Sequence, residues 1–225
     1  MNSLIKDKRL KLITSLVSSK TVADIGTDHG KVIAQLFLDK KIDYAYLSDI
    51  SEQSLEKAKT LLKELGFDNK ANYIVCDGLL GYDNIDGFDV VIAGMGGEEI
   101  IKILSSYKNI SKANSYVLQP QKNVVKLRKY LVKNHFKIIV DKMVRQGKQY
   151  YSVIKVVNGK DRLNRKELFF GRTNVKEYGE DFVGFLNNQK DQYESIFAEA
   201  KTLSPDKKKY YKLLCKVIKK GERVC

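Results

Sequence analysis

The stretch Ala23 to Lys31, "ADIGTDHGK", decides how the rest of the chain is read. A short apolar run ends in an acid and a glycine, as a buried parallel strand does where it turns into a helix. A dinucleotide loop would carry more glycine here, so that the backbone could approach a pyrophosphate. Asp28 and His29 occupy the turn instead, and no Lys-Ser/Thr pair follows a glycine loop to make a P-loop.

Outward from this turn, strands and helices alternate. "DYAYLSDI", "ANYIVCDGL", "FDVVIAGMGG" and "SYVLQPQ" read as further strands, and "SEQSLEKAKTLLKELG" as a helix capped by Ser51 and stopped at Gly66. "EEIIKILSSY" and "NVVKLRKYLVKNH" read as helices, and 4–18 as an amphipathic helix with Leu10, Ile13, Leu16 and Val17 inward and Lys6, Lys8, Arg9 and Lys11 mostly toward water. "FKIIVDKMV" and "QYYSVIKVV", joined by "RQGK", pair as two closing strands, the last antiparallel. The pattern predicts a mostly parallel, doubly wound α/β sheet. From about Val157 a polar, glycine-punctuated linker with one short helix is expected. Phe182, Leu186, Gln189, Tyr193, Ile196, Ala200 and Leu203 then form a heptad-like seam. After Pro205, Tyr210, Leu214, Val217 and Gly221 repeat the spacing, which predicts a helical hairpin; two ordinary helices folded back on the main domain fit as well. The expected division is 1–157 and 158–225.

In an open parallel sheet, ligands lie outside the carboxyl ends of the strands. Those ends read Asp24-Ile25-Gly26, Ser48-Asp49, Cys76-Asp77-Gly78, Gly94-Met95-Gly96-Gly97 and Gln119-Pro120. Asp49, with Ile50 beside it, follows Gly26 at the spacing of a ribose-binding acid. Asp77 could take an adenine amino group. Such a rim suits an adenosine ligand with little phosphate, and its carboxylates suit the sulfonium and ammonium of S-adenosylmethionine. Each acid also has a plainer reading: Asp28 as a cap on the next helix, Asp77 as part of a turn with Gly78, His29 as a packing residue.

The net charge of +14 is unevenly spread: 1–121 sum to −1 and 122–225 to +15. A near-neutral half beside a basic half suggests a small-molecule site next to a polyanion-binding surface. Gln119 and Pro120 at the fifth strand end, Lys122, Lys126, Arg128, Lys129 and Lys133 on the helix after it, and seven lysines between Lys207 and Lys220 are the expected RNA contacts. Three cysteines without metal-ligand spacing suit reduced thiols, and the N-terminus lacks an apolar signal core, so a cytoplasmic protein is expected, with no metal.

"ADIGTDHGKV", "SDISEQSLEKAK", "VCDGL", "FDVVIAGMGGEEIIKIL" and "VLQPQKNVVKLRKYLVKNHFKI" together resemble the bacterial tRNA adenine-22 N1-methyltransferase (TrmK) family over about 4–156. The C-terminal hairpin resembles that family's small domain. The resemblance implies a Rossmann-like methyltransferase fold, S-adenosylmethionine as donor and tRNA as substrate. Residue by residue, Asp24, Gly26, Asp28 and His29 match the family's first loop, Asp49 its ribose acid, Asp77 and Gly78 its third strand, Gly94 to Gly97 its GMGG, and Gln119 and Pro120 its fifth-strand end. Gly30-Lys31-Val32 and Gln121 depart from the family pattern at the rim.

The chemistry is consistent with that family. There is no Asn/Asp-Pro-Pro-aromatic strand end of the kind used on exocyclic amines. A ring nitrogen such as adenine N1 keeps an in-plane lone pair and needs positioning more than activation. Asp28 is the candidate to face the adenine that becomes cationic, with His29 to orient the base or tune Asp28. The expected protein is a monomeric tRNA (adenine-N1)-methyltransferase. A methyltransferase acting on another RNA base or a small molecule, or a non-catalytic RNA-binding module, are the alternatives.

Overall fold

The computed structural model describes residues 7–199 and 204–223. Seven strands form one sheet: β1 (Thr21–Ile25), β2 (Tyr44–Asp49), β3 (Ala71–Val75), β4 (Phe88–Met95), β5 (Ala113–Pro120), β6 (Phe136–Gln146) and β7 (Gln149–Asn158), in the order β3-β2-β1-β4-β5-β7-β6. β1 to β5 pair in parallel, and β7 runs antiparallel to both β5 and β6. The expected antiparallel last strand is therefore present, inserted between β5 and β6.

Helices cover both faces. α1 (Lys8–Leu16), α2 (Lys31–Leu38) and α3 (Glu52–Glu64) bury Ile13, Ile33, Leu36, Ala58 and Leu62 against Val91 and Val117. α4 (Gly97–Ser106) and α5 (Val124–Lys133) bury Ile100, Leu104, Leu127 and Leu131 against Val90, Ile92 and Leu118 on the other face. Successive residues of β4 and β5 thus feed opposite cores, which explains their unbroken apolar runs. The first helix begins at Lys8, where Asp7 accepts from the amides of Arg9 and Leu10; the expected start at Leu4 lies outside the described residues. Ser51 caps α3 as expected, accepting from the Ser54 amide.

The segment after β7 forms two short helices where a linker with one was expected: α6 (Arg165–Phe170), closed by an Asn164–Glu167 capping box, and α7 (Arg172–Glu177). Its side chains cover the free edge of β6. The amides of Ile138, Asp141, Met143 and Arg145 donate to Asp161, Thr173, Asn174 and Asp181 respectively, over 2.8–3.1 Å. Without such partners these edge groups would invite pairing with another chain. The expected hairpin follows as α8 (Glu180–Glu199) and α9 (Pro205–Gly221), packed through Phe182, Leu186, Leu214 and Val217 and then through Tyr193, Phe197, Tyr210 and Tyr211. Ala200 and Leu203 of the seam lie outside the described residues. No helix among the described residues is long and apolar enough to cross a membrane.

Candidate active site

The site is built on the parallel strand ends. After β1 the chain turns at Gly26 (φ 69°), whose amide, with that of Thr27, donates to the Ser48 carbonyl at the end of β2 (2.8 and 3.1 Å). A side chain at Gly26 would also meet the Met95 thioether methyl, which would have to move aside. Asp28 sits in the left-handed region (φ 48°), which Asp tolerates better than most residues. Gly30 (φ 65°) is the residue that precedes α2, and no side chain caps that helix. Asp28 is therefore not a helix cap. Its carboxylate is exposed, 3.6 Å from the half-exposed His29 imidazole, and its amide points at Asp49 Oδ2 over 3.5 Å.

Asp24 lies deeper, buried, and accepts from Thr27 Oγ1 at 2.7 Å. Burial pushes its carboxyl up to about 6 from 3.8; the Thr27 hydrogen bond works against that shift and the nearby Asp49 charge adds to it. Native Asp24 thus holds its proton more tightly than the unfolded chain does. Its contribution to folding is fully present below pH 3.8 and is lost as pH rises through about 6.

Asp49 Oδ1 accepts from the Ser51 amide at 2.9 Å, and Ile50 beside it is 75% exposed. Asp77 leads into the left-handed Gly78 and pairs with Lys102 of α4 at 3.4 Å, so it closes a turn and still faces the rim. Gly94 (φ 83°) and Met95 end β4. One cleft of about 1110 Å³ brings together Asp24, Gly26, Asp28, His29, Asp49, Ile50, Asp77, Gly78, Gly94 and Met95. Among the described residues no cluster of His, Cys, Asp or Glu could hold a metal ion.

Three of the expected RNA contacts need correction. Gln119 is fully buried: its Oε1 accepts from the Gly94 amide (3.2 Å) and Arg9 Nη1 (3.0 Å), and its Nε2 donates to the Pro120 carbonyl. Pro120 is buried as well, because β5 is an interior strand up to its end. Arg128 is 1% exposed and turned away from solvent. Its Nε and Nη2 grip Asp141 at 2.7 and 2.8 Å, and its Nη1 donates to the carbonyls of Leu168 and Phe169. Lys122, Lys126 and Lys129 are exposed, outside the cleft, with Lys126 paired to Glu98.

Arg9 was expected to face mostly water, yet it lines the cleft. The signal was present: Arg9 lies four residues before the buried Ile13, on the same helical stripe. Thr27, Glu98, Glu99 and Lys102, also in the lining, carried no distinguishing spacing.

A family model described as "Methyltransferase domain" matches residues 6–154. A "Putative tRNA methyltransferase" of Mycoplasma pneumoniae is 36% identical over 154 residues, covering 66% of this chain and 70% of that protein. The Bacillus subtilis tRNA (adenine(22)-N(1))-methyltransferase is 28% identical over 156 residues, 68% of this chain and 66% of its own. The structure of M. capricolum TrmK with the cofactor product S-adenosyl-homocysteine superposes with a TM-score of 0.79 at 24% identity, over 98% of this chain and 99% of that one.

Proposed function

The chain belongs to the methyltransferase-domain family, in the TrmK group, and we propose that it transfers a methyl group from S-adenosylmethionine to N1 of adenine 22 in tRNA. The observation that carries this reading is the set of strand-end carboxylates in one cleft built on left-handed glycines, with exposed cations on α5 outside it. The cleft fits the donor. Asp49 keeps Oδ2 turned to the loop, where ribose hydroxyls can donate to it, and the exposed Ile50 offers an apolar surface to the adenine. Asp77 can accept from the adenine amine once Lys102 yields it. Asp24 lies under the turn as the counter-charge for the ammonium end. The donor supplies a methyl group activated by its sulfonium.

The chain's own part is alignment and charge. Gly94 and Met95 form the wall between donor and acceptor. Adenine N1 attacks with its in-plane lone pair, so no base is required, and positive charge builds on the ring. Asp28, exposed at the cleft mouth beside His29, faces that charge. N1 is paired inside a duplex, so the adenine is taken unpaired or flipped out. Lys122, Lys126 and Lys129 and the lysines of α9 hold the phosphates, and the 158–225 segment acts as the RNA-holding unit. The protein works as a monomer in the cytoplasm.

Incubating the protein with unmodified tRNA and methyl-labelled donor, then mapping the product by mass spectrometry, tests the reading. N1-methyladenine at position 22 is expected; any other product refutes it. Asp28→Ala should lower turnover roughly 10- to 100-fold, a modest share of preorganised electrostatics for so exposed a group, with donor affinity kept within a few-fold. Full turnover in that variant would remove Asp28 from the mechanism. For Asp24, donor affinity should rise with pH through about 6, as the carboxylate forms. Asp24→Asn should flatten that rise in calorimetry and stabilise the protein at pH 7 by on the order of 1–2 kcal/mol, because the buried charge is gone while the Thr27 bond is weakened.

A further inference from the structure

The β6–β7 hairpin rises above the rim of the sheet. Leu118 of β5 pairs with Ile154 of β7 in antiparallel register, so Pro120, where β5 ends, stands level with Ser152. β7 starts earlier, at Gln149, and pairs there with Gln146 of β6. The tip of the hairpin therefore stands about 10 Å beyond the end of β5, at ~3.4 Å per residue. Pro120 is also level with Met95, which lines the cleft. In the sheet, β7 lies beyond β5, on the far side of β4 from the strand ends that carry Asp24, Asp49 and Asp77. Arg145, Gly147, Lys148 and Gln149 at the tip are exposed and stand outside the donor cleft.

The tip carries an arginine set to receive an anion. Arg145 Nε donates to the Gly147 carbonyl across the turn at 3.0 Å. Its guanidinium carbon lies 5.8 Å from the centre of the Tyr150 ring, which packs in turn on Phe185 of α8. These contacts leave Nη1 and Nη2 without partners among the described residues. Two N–H donors side by side on that edge match two oxygens of a phosphate. Ordering the long side chain in advance lowers the entropy cost of binding. Lys148 is exposed in the same turn, and Lys8 is brought there by its amide, which donates to Gln146 Oε1 at 2.8 Å. Neither lysine forms an ion pair among the described residues. The acids bonded to these segments are already engaged: Asp181 accepts from the Arg145 amide, and Asp7 caps α1.

We propose that the β6–β7 tip is a docking point for the tRNA backbone. Arg145 takes one phosphate through Nη1 and Nη2, and Lys148 and Lys8 neutralise its neighbours along the strand. The tip is bonded to α1 on one side, through Lys8, and to α8 on the other, through Asp181. A strand held there lies between the donor cleft and the C-terminal helical pair, and is kept at the mouth of the cleft without touching the donor.

This rests on the tRNA-methylating reading above, and the experiment separates the two. Binding of an unmodified tRNA transcript is measured across a salt series, with S-adenosylhomocysteine affinity by calorimetry alongside. Arg145→Gln with Lys148→Gln should bind tRNA at least roughly tenfold more weakly at low salt, the size of one charged hydrogen bond. Its slope of log K against log salt should be shallower by about 1.4–1.8, the release of two counterions. Lys148→Gln alone should give about half that change, and it carries the test if the double variant does not fold. Arg145→Lys, which keeps the cation and loses the fork, should keep the slope and still bind roughly tenfold more weakly. Lys20→Gln with Lys108→Gln removes the same charge at the amino ends of the strands, from exposed residues, and should change neither slope nor affinity. S-adenosylhomocysteine affinity should stay at the wild-type value throughout. An unchanged slope in the tip variants, an equal loss in the Lys20 and Lys108 pair, wild-type affinity in Arg145→Lys, or weakened S-adenosylhomocysteine binding in place of weakened tRNA binding overturns the proposal. A wild type that binds and methylates no tRNA overturns the functional reading itself, and the docking point with it.

Discussion

Arg128→Ala should destabilise the protein by about 3–5 kcal/mol, the effect of stranding a buried charge. Asp141 is fully buried, and both its oxygens are taken by Arg128 at 2.7 and 2.8 Å. Removing the guanidinium leaves that carboxylate without its counter-charge and takes a donor from the carbonyls of Leu168 and Phe169. Gly171 closes the far side: a side chain there would lie 2.7 Å from Asp141 Oδ1. For a chain of this length the midpoint of thermal unfolding should drop by roughly 10 °C or more. Because the pair joins α5 and β6 to the end of α6, the loss should be greatest in hydrogen exchange along β6 and α6. Arg128→Met with Asp141→Leu should recover much of the stability, since an apolar pair of similar volume avoids the desolvation cost. If Arg128 contacted RNA instead, the single variant would keep its melting temperature and lose tRNA affinity; the measurement distinguishes the two directly.

The Arg128 case shows what a sequence conceals about charge. In the stretch from Lys122 to Lys148 nine cations stand against one acid, Asp141, and charge counting reads the whole run as a polyanion surface. Yet Arg128 shares the stripe of Leu127 and Leu131 on α5, and the lone acid is its partner across the fold. Helical spacing could have marked Arg128 as inward; the pairing needed the packing of α5 on β6. Gln119 is similar. Its place at a strand end was legible, but that it turns inward to hold Arg9 and Gly94 depends on α1, which lies over that end. The five strand ends were legible because a parallel sheet sends them all to one rim, whatever the loops do. Asp28 was open between cap and site, and the positive φ of Gly30 just before α2 decides against the cap. The covering of β6 by Asp161, Thr173, Asn174 and Asp181 left no periodic trace, since each side chain answers one amide of a strand far away in sequence.

Asp49→Ala should weaken S-adenosylmethionine binding by roughly a hundredfold or more while leaving turnover at saturating donor close to the wild type. Two charge-assisted hydrogen bonds to ribose hydroxyls, at about 1.5 kcal/mol or more each, amount to that factor. The carboxylate is ready for them. Oδ1 is steadied by the Ser51 amide at 2.9 Å, and Oδ2 meets only the distant Asp28 amide at 3.5 Å, so it retains acceptor capacity toward the cleft. Both bonds are made equally in the ground state and the transition state, so their loss falls on donor affinity and spares kcat. The substitution also withdraws a negative charge that helps hold Asp24 in its protonated form, so the pH at which donor affinity rises should move below the wild-type value of about 6. A double-mutant cycle makes the assignment specific. An S-adenosylhomocysteine analogue lacking both ribose hydroxyls should bind the wild type as poorly as the natural product binds Asp49→Ala, and should lose little more in the variant. If the analogue and the substitution instead weaken binding additively, Asp49 acts through the first loop, by way of the Asp28 amide, and the ribose is held elsewhere on the rim.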